Sequence, residues 1–395
     1  MQVHSGFELI DDPRGFERAA ESLSRGLGPF AIDTERASTF RYDDRAFLVQ
    51  VHRRYAGTYL LAPEGHRDAF RRILGPVIGG EDWILHAAGE DLASLAELEL
   101  QPASLFDTEL AARLAGFDKP NLAAMVEHFV GVALKKGYGR EDWSRSPLPL
   151  EWQRYAAEDV LYLHPLAEAL SEYLDQRGKL DWATEEFAHA VATASPPEPK
   201  TWRDVKGIAT LKKPSQLQVA QALWHERDRL ARSLDTAPSS ILPNKVLVDI
   251  ARATPTSSTS IASVKGFPRH RRRAAVTWSA VVREALATDA SAWPAQAADE
   301  PTTIPEKNAW KHQAPWEWEV LQSVREKVAE RAVDVDVLAA TLLSPALLRE
   351  AVWAWAQGNL APRTHEVAVF LAARGARPWQ VAATAPVIAS VLCCP

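Results

Sequence analysis

The sequence is poor in cysteine: its 395 residues contain two, which are neighbours at Cys393 and Cys394. Such a pair cannot build a framework of disulfide bonds or a cysteine-based zinc site, so redox and structural-zinc functions are disfavoured. No stretch approaches the roughly 18 consecutive apolar residues that a membrane-spanning helix needs. The first residues also lack a basic segment followed by an apolar one. We therefore expect a cytoplasmic protein without a membrane partner.

A further absence concerns nucleotides. The sequence contains no G-x-x-x-x-G-K-[S/T] loop, which disfavours a nucleotide-hydrolysing helicase and predicts that no nucleotide cofactor is bound. The composition is that of a folded protein, with 47% hydrophobic and 24% charged residues. A length of 395 residues predicts two or three domains. No repeat of fixed period is evident along the sequence.

Charge is divided unevenly along the chain, whose net charge is -6. Residues 1–190 hold 20 basic and 32 acidic residues, whereas residues 200–290 hold 16 basic and 7 acidic ones. An acidic first part suits a module that collects carboxylates. A basic middle part suits the binding of a polyanion.

Proline-rich segments divide the chain into three parts. The predicted organisation is an α/β domain over 1–193, a linker over 194–209, a helical domain over 210–290, a linker over 291–312 and a second helical domain over 313–395. After residue 200 the apolar residues recur almost only at helical spacing, which predicts that this part is all-α.

Short β-prone runs come before and between helical patterns in the first part. The β-prone runs are 30–32, 46–51, 58–61, 83–85 and 105–106, and the helical patterns are 90–98, 108–115, 122–129 and 150–174. The first three runs predict a three-stranded meander. Strands followed by strands that alternate with helices predict a sheet of mixed direction.

Acidic residues follow two of the predicted strands. Asp33 and Glu35 are two residues apart on an extended backbone, so both carboxylates can reach one point. Alone, such a pair is more often a solvated strand end. Asp91 stands at the start of a predicted helix, where an acidic side chain is commonly structural. His86 closes a buried strand and is more often a satisfied structural group than a catalytic one.

Tyr155 and Asp159 lie four residues apart in a predicted helix and so share one face. In isolation this pair is more often a helix-surface contact. The combination with the other acidic motifs favours chemistry, because four carboxylates without a histidine or cysteine ligand pattern suit Mg²⁺ or Mn²⁺. Two such ions about 4 Å apart can hold the attacking and leaving oxygens of a phosphoryl displacement.

The order and intervals of these motifs resemble those of the DEDD exonucleases, in the subgroup marked by a tyrosine. Further blocks resemble the ribonuclease D family over about residues 28–175: PFAIDTERAS, AFLVQVH, ILHAAGEDLASL, LFDTELAARLAG, REDWSRSPL and EWQRYAAEDVLYLHPL. The resemblance implies a ribonuclease H-like fold. It also implies removal of nucleotides one at a time from RNA 3′ ends, such as those of transfer RNA precursors and other structured RNAs.

The same resemblance implies a catalytic set of Asp33, Glu35, Asp91, Tyr155 and Asp159. Its four carboxylates would bind two divalent ions, Mg²⁺ or Mn²⁺. Tyr155 would orient the attacking water. A phenol with an ordinary pKa near 10 is a poor base on its own, so the metal ions would supply most of the activation.

Residues 210–290 resemble the helical HRDC appendage of this family, through LWHERDRLARSLDTAPSSILPNKVLVDIA and SVKGFPRHRRRA. The candidate RNA-binding residues are Lys245, Arg269, Arg271, Arg272 and Arg273. A basic run is usually a solvated helix face, but the positive charge of this part favours contacts with phosphates. Residues 313–395 would form a second, HRDC-like bundle, and a monomer is expected.

Two other functions stay open at this point. A DNA 3′→5′ exonuclease of the same superfamily would use the same carboxylates. A catalytically silent RNA-binding adaptor could keep the fold. The adaptor is disfavoured because a binding module has no reason to hold four converging carboxylates against their mutual repulsion.

Overall fold

The computed structural model describes residues 6–135, 137–195, 199–268, 274–296, 304 and 310–394. Its first part is built on a six-stranded sheet. The strands are β1 (Phe7–Ile10), β2 (Leu27–Arg36), β3 (Ala46–Arg54), β4 (Gly57–Leu61), β5 (Asp82–Leu85) and β6 (Ser104–Asp107). Their order across the sheet is β1-β4-β3-β2-β5-β6.

The sheet is mixed, as the sequence predicts. β2, β3 and β4 pair antiparallel and form the expected meander, whereas β5 and β6 continue the sheet in parallel on the other side of β2. β1 is parallel to β4 at the opposite edge. The β-prone runs identified in the sequence do not include β1.

Helices connect and cover these strands. They are α1 (Pro13–Ser24), α2 (Arg67–Ile78), α3 (Asp91–Ala96), α4 (Thr108–Leu114), α5 (Leu122–Val130), α6 (Leu150–Leu161), α7 (Leu163–Asp175) and α8 (Leu180–Thr193). The one helical pattern predicted over 150–174 is therefore two helices, with a break at Tyr162. Pro165 explains the break, because it has no N–H and its ring would clash with the Leu161 carbonyl in a continuous helix.

The middle part is an all-helical bundle with a core of its own. Its helices are α9 (Pro214–Ser233), α10 (Pro238–Ile241), α11 (Asn244–Ala253), α12 (Ser258–Ala262) and α13 (Ala274–Ala287). Trp202, Val205 and Ile208 also pack into this core. Part of the segment 194–209, which the sequence predicts as a linker, thus belongs to the bundle.

The C-terminal part is a second helical bundle. Its helices are α14 (Trp310–Gln313), α15 (Pro315–Asp334), α16 (Ala339–Leu342), α17 (Pro345–Ala356), α18 (Thr364–Ala372) and α19 (Pro378–Cys393). Trp310, which falls within the predicted linker 291–312, is fully buried here. No described helix has both the length and the apolar character that a membrane span requires.

The two bundles repeat one arrangement of helices. α9, α10 and α11 begin at residues 214, 238 and 244, and α15, α16 and α17 begin 101 residues later, at 315, 339 and 345. No repeat is evident in the sequence because the copies share the spacing of helices and turns but few identical residues. This correspondence favours the HRDC-like bundle predicted for the C-terminal part.

The C-terminal bundle shares one apolar core with the α/β part. The rings of Trp182 and Trp379 stack there with centroids 4.8 Å apart. Glu186 accepts hydrogen bonds from Trp379 Nε1 and from Arg377 Nε, both at 2.8 Å. The first and last parts of the chain therefore pack as one body, whereas the middle bundle has a separate core.

Lys179 is a buried charge at this interface, with 4% of its surface exposed. Its Nζ donates to the carbonyl oxygens of Leu114 at 3.0 Å and Asp336 at 2.5 Å, and it lies 3.3 Å from Asp336 Oδ2. Lys179→Met keeps the apolar stem but leaves these acceptors unpaired. We expect it to lower the free energy of unfolding by about 2–3 kcal/mol, measured by equilibrium denaturation in urea.

Lys245→Met is the matched control for this prediction. Lys245 is an exposed lysine whose Nζ pairs with Asp249 Oδ2 at 2.7 Å within one helix. Exposed pairs of this kind contribute little, so we expect a loss below about 0.5 kcal/mol. Equal losses for the two variants would mean that the buried contacts of Lys179 do not stabilise the interface.

Candidate active site

β2 presents two acidic side chains at its C-terminal end. Asp33 and Glu35 alternate with Thr34, so the two carboxylates lie on the same side of the strand. Gln50, which is opposite Asp33 on β3, donates from Nε2 to Asp33 Oδ2 at 3.3 Å. Because β2 is paired with β3 on one side and with β5 on the other, its backbone holds both carboxylates on a rigid element.

The third acidic side chain is that of Asp91, the first residue of α3, and the turn between β5 and α3 positions it. Asp107 holds this turn, because its carboxylate accepts hydrogen bonds from the N–H groups of Ala87 at 3.0 Å and Ala88 at 2.8 Å. Ala87 has a left-handed backbone, with φ of 62°, which residues with a side chain rarely adopt. Asp91 is 5% exposed and accepts a hydrogen bond from Thr34 Oγ1 at 2.5 Å.

Asp107 is a positioning residue with a second set of contacts. It is also the N-cap of α4, since Oδ1 accepts from the N–H groups of Glu109 and Leu110 at 2.8 and 3.2 Å. Its contacts with the turn before Asp91 were not predicted. One feature of the sequence could have indicated these contacts: Asp107 lies between a buried strand and a helix, where its carboxylate can accept hydrogen bonds from backbone N–H groups on both sides.

α6 supplies the tyrosine and the fourth carboxylate. Buried Ala156 and Ala157 let this helix approach the strands closely. Burial raises the pKa of Asp159, and the neighbouring phenol of Tyr155, one helical turn away, opposes this shift. The Tyr155 ring packs beside Trp143, with centroids 6.4 Å apart, which fixes the direction of the hydroxyl.

The predicted catalytic residues converge on one cavity of about 370 Å³. Carboxylate oxygens of Asp33, Glu35 and Asp159 lie within 4.8 Å of one another. Asp91 and Tyr155 line the same cavity, although Asp91 lies outside that closest group of three. Residues that are more than 120 positions apart in the sequence are thus brought to one point by β2, the start of α3, and α6.

Burial and mutual repulsion make this site unfavourable for negative charge. Burial raises the pKa of Asp33 well above its ordinary value, and the carboxylates of Asp91, Asp159 and Glu35 raise it further. The pKa of Glu35 is raised to about 9 and that of Asp159 to about 8, in both cases chiefly by burial. Burial raises the pKa of Asp91 to about 6, against the opposing effect of the hydrogen bond from Thr34.

The donor set fits divalent cations. Among the described residues that line the cavity, Arg36 is the only lysine or arginine. Its guanidinium is paired with Glu90 at 2.7 Å and with Asp44 at 3.0 Å. Its positive charge lowers the pKa of Glu35 and of Asp91, but burial has the larger effect and both values stay raised. Closely spaced, buried carboxylate oxygens of this kind match the ligand preference of Mg²⁺ and Mn²⁺.

The Tyr155 hydroxyl keeps its proton. Burial raises the pKa of this phenol, and the negative charges of Asp159, Glu35 and Asp33 raise it further. A group held in its neutral form can donate a hydrogen bond but cannot serve as a base at neutral pH. Tyr155 is therefore suited to orienting a group in the cavity rather than to removing a proton from it.

His86 also lines the cavity, but its contacts are structural. Its Nδ1 is 2.9 Å from Thr108 Oγ1, and burial lowers its pKa to about 4, so the ring is neutral at physiological pH. These contacts agree with the structural interpretation that the sequence favours for this residue.

The candidate RNA-binding residues lie apart from this cavity or outside the described residues. Lys245 is on α11, with 77% of its side chain exposed, and forms an ion pair with Asp249. Four arginines of the predicted set lie outside the described residues: Arg269, Arg271, Arg272 and Arg273. Their contact with RNA stays a prediction from the sequence.

Three protein families match this chain. Residues 7–175 match the 3'-5' exonuclease family, residues 216–277 match the HRDC domain, and residues 303–392 match the 3' to 5' exonuclease C-terminal domain. The exonuclease match contains every residue of the cavity that was predicted to be catalytic. The HRDC match lies within the basic middle part.

Known proteins resemble the chain over different lengths. Ribonuclease D of Xanthomonas oryzae is 32% identical over 203 residues, which are 50% of this chain and 56% of that protein. The chain spans about half the length of the curated relatives it matches. A crystal structure of a protein from Bifidobacterium adolescentis is 33% identical, with a TM-score of 0.84 over 98% of this chain and 96% of that one.

Escherichia coli RNase D, described as an exoribonuclease involved in structured RNA processing, has a similar fold. The TM-score is 0.67, the sequence identity is 24%, and the match covers 89% of this chain and 91% of that one. At this identity the likeness establishes the shared fold, including the mixed sheet followed by helical bundles.

Proposed function

We propose that this chain, which belongs to the ribonuclease D family, is a metal-dependent 3′→5′ exoribonuclease that trims transfer RNA precursors and other structured RNAs. The observation that carries the proposal is the convergence of Asp33, Glu35 and Asp159 within 4.8 Å, in a cavity that Asp91 and Tyr155 also line. Hydrolysis of a phosphodiester needs positive charge beside the reacting phosphate. The carboxylate oxygens of this cavity can bind divalent cations, which would supply that charge.

Membership of the family implies the use of divalent metal, and the four carboxylates would hold two ions, Mg²⁺ or Mn²⁺. When bound, such ions supply activation of water and stabilisation of the charge that develops on the phosphate. The contribution of the chain is to fix the ligands. Gln50 holds Asp33 and Thr34 holds Asp91 through the hydrogen bonds described above.

Tyr155 would orient the attacking water during hydrolysis. Its neutral hydroxyl is a hydrogen-bond donor inside the cavity, and its ring is held by neighbouring aromatic side chains. A fixed donor aligns a small nucleophile with the scissile bond, and alignment alone contributes substantially to the rate of such reactions.

RNA would be bound chiefly by the basic middle part of the chain. The whole protein would act as a monomer in the cytoplasm. Residues 200–290 carry 16 basic and 7 acidic residues, and a positive excess of this size favours contacts with phosphates that do not depend on sequence. The residues proposed for these contacts are Lys245, Arg269, Arg271, Arg272 and Arg273. Lys245 would have to exchange its pairing with Asp249 for a phosphate.

The test of this function uses the whole protein and a transfer RNA with a 3′ extension and a 5′ label. We expect a descending ladder of products with Mg²⁺ or Mn²⁺ and none with a chelator. Internal cuts, or products that do not depend on metal, would overturn the proposal. Matched single-stranded DNA distinguishes the alternative of a DNA exonuclease, which would degrade the DNA at least as fast as the RNA. Binding without degradation would indicate the silent adaptor.

A further inference from the structure

The segment between β2 and β3, residues 37–45, joins the catalytic strand to the middle bundle. It begins two residues after Glu35. Tyr42 packs against the core of the middle bundle, and its hydroxyl donates to Asp228 Oδ1 at 2.8 Å. The Tyr42 hydroxyl also accepts a hydrogen bond from Arg232 Nη2 at 2.9 Å. The middle bundle therefore holds a segment of the catalytic domain by a side chain inserted into its surface.

Asp235, in the turn after α9, is the charged centre of this contact. Its Oδ2 accepts from Arg45 Nη2 at 2.9 Å and from Arg41 Nη1 at 3.3 Å, and its Oδ1 lies 3.2 Å from Arg45 Nη1. The Arg45 side chain is only 14% exposed, and it pairs with Asp43 and Glu64 of the α/β part as well as with Asp235. The hydrogen bond from Arg45 lowers the pKa of Asp235, which keeps this carboxylate ionised.

The backbone of Asp235 is unusual in a way that the second bundle repeats. Asp235 has φ of 44°, and Asp336, at the same position of the repeat 101 residues later, has φ of 53°. Both are left-handed conformations, which aspartate and asparagine tolerate better than most residues. Both residues bind a basic side chain of the α/β part, the half-buried Arg45 in one case and the buried Lys179 in the other. The two bundles thus dock through equivalent turns.

The two docking contacts differ in what lies beside them. Residues 37–45 form part of a second cavity, of about 500 Å³, which shares Glu35 and Arg36 with the catalytic cavity. Asp44, in the same segment, holds Arg36 Nη1 at 3.0 Å. A shift of this segment would therefore move a wall next to the carboxylates. The residues that surround Lys179 line neither of these cavities.

We infer that Asp235 is a positioning residue through which the middle bundle sets the shape of the RNA entrance beside the carboxylates. The inference rests on the proposed function for the identity of the substrate. Asp235 acts on Arg41 and Arg45, these hold residues 37–45, and that segment borders the path to Glu35. The middle bundle accordingly has a second role besides its proposed contacts with phosphates. It fixes the conformation of residues 37–45 at the entrance to the catalytic cavity.

Asp235→Asn tests this role, because asparagine keeps the size and tolerates the left-handed backbone but removes the charge. We expect the KM for a 3′-extended RNA to rise roughly tenfold while kcat changes less than about twofold, since the carboxylates are untouched. Asp336→Asn is the matched control: it alters the equivalent turn at a contact away from the cavities, and we expect KM to stay at the wild-type value.

Hydrogen exchange of the same variants gives a readout that does not depend on activity. In Asp235→Asn we expect faster exchange of the backbone amides of residues 37–45 and unchanged exchange in α11. Unchanged exchange in this segment, or a KM equal to that of Asp336→Asn, would overturn the inference. A fall in kcat without a rise in KM would also overturn it. Absence of metal-dependent trimming in the wild type would overturn the proposed function instead, and the exchange data would still decide whether Asp235 holds the segment.

Discussion

Asp33→Asn is expected to lower the rate of RNA hydrolysis by at least about a thousandfold. Asparagine keeps the size of the side chain but removes one negative charge and one anionic oxygen from the group of three carboxylates within 4.8 Å. Weaker binding of the ions removes several kcal/mol of stabilisation from the transition state, and each 1.36 kcal/mol is a factor of about ten in rate. Single-turnover hydrolysis across a Mg²⁺ series measures this loss.

The effect of Asp33→Asn should be confined to the rate of hydrolysis and should not extend to RNA binding or stability. Binding of RNA, measured with chelator present, should match that of the wild type because the middle bundle is unaltered. Thermal stability in chelator should not fall, since burial and the neighbouring carboxylates already make the charged form of Asp33 unfavourable. Asp68→Asn is a control at an exposed ion pair with Arg71 and should leave the rate unchanged. Normal turnover of Asp33→Asn at low Mg²⁺ would show that Asp33 is not a metal ligand.

Tyr155→Phe is expected to lower kcat by about a hundredfold with little change in the dependence on metal. The substitution removes one hydroxyl and leaves all four carboxylates in place. The attacking water would no longer be aligned, and misalignment of a reacting group by about 1 Å can cost a hundredfold in rate. Rates measured for both proteins over the same Mg²⁺ series separate a loss of alignment from a loss of metal binding.

Tyr138→Phe is the control for this second prediction. The Tyr138 ring packs against that of Tyr155, with centroids 5.9 Å apart, but Tyr138 does not line the catalytic cavity. We expect this variant to keep nearly the wild-type rate. If Tyr155→Phe also kept it, Tyr155 would be a packing residue and another group would orient the water. A changed metal requirement would instead mean that the hydroxyl helps to hold the ions through Asp159.

The catalytic cavity could be anticipated from the sequence because each motif is local. The two-residue period of a strand places the carboxylates of Asp33 and Glu35 on the same side. The four-residue spacing places Tyr155 and Asp159 on the same face of a helix. Their mutual approach is a matter of how β2 and α6 pack, for which spacing alone gives no rule. The resemblance to a family supplied that step, and the geometry agrees with it.

Features that depend on distant contacts could not be anticipated in this way. The hold of Asp107 on the turn before Asp91 depends on the pairing of β5 with β6, and the docking of Asp235 joins residues 190 positions apart. The repeat of the two bundles is hard to detect from the sequence because they share the spacing of their helices and the left-handed turn at Asp235 and Asp336, but few identical residues. Local periodicity carries no information on such contacts.

The shared core of the first and last parts of the chain has a consequence for biosynthesis. Glu186 and Trp379 are 193 residues apart, and the chain between them includes the entire middle bundle. As the polypeptide leaves the ribosome, the apolar surface of α8 that packs against α19 stays exposed until α19 has been synthesised. The middle bundle, whose core is separate, can fold during that interval. A chain that ends before α19 would keep this surface exposed, which makes prematurely terminated products targets for aggregation and proteolysis.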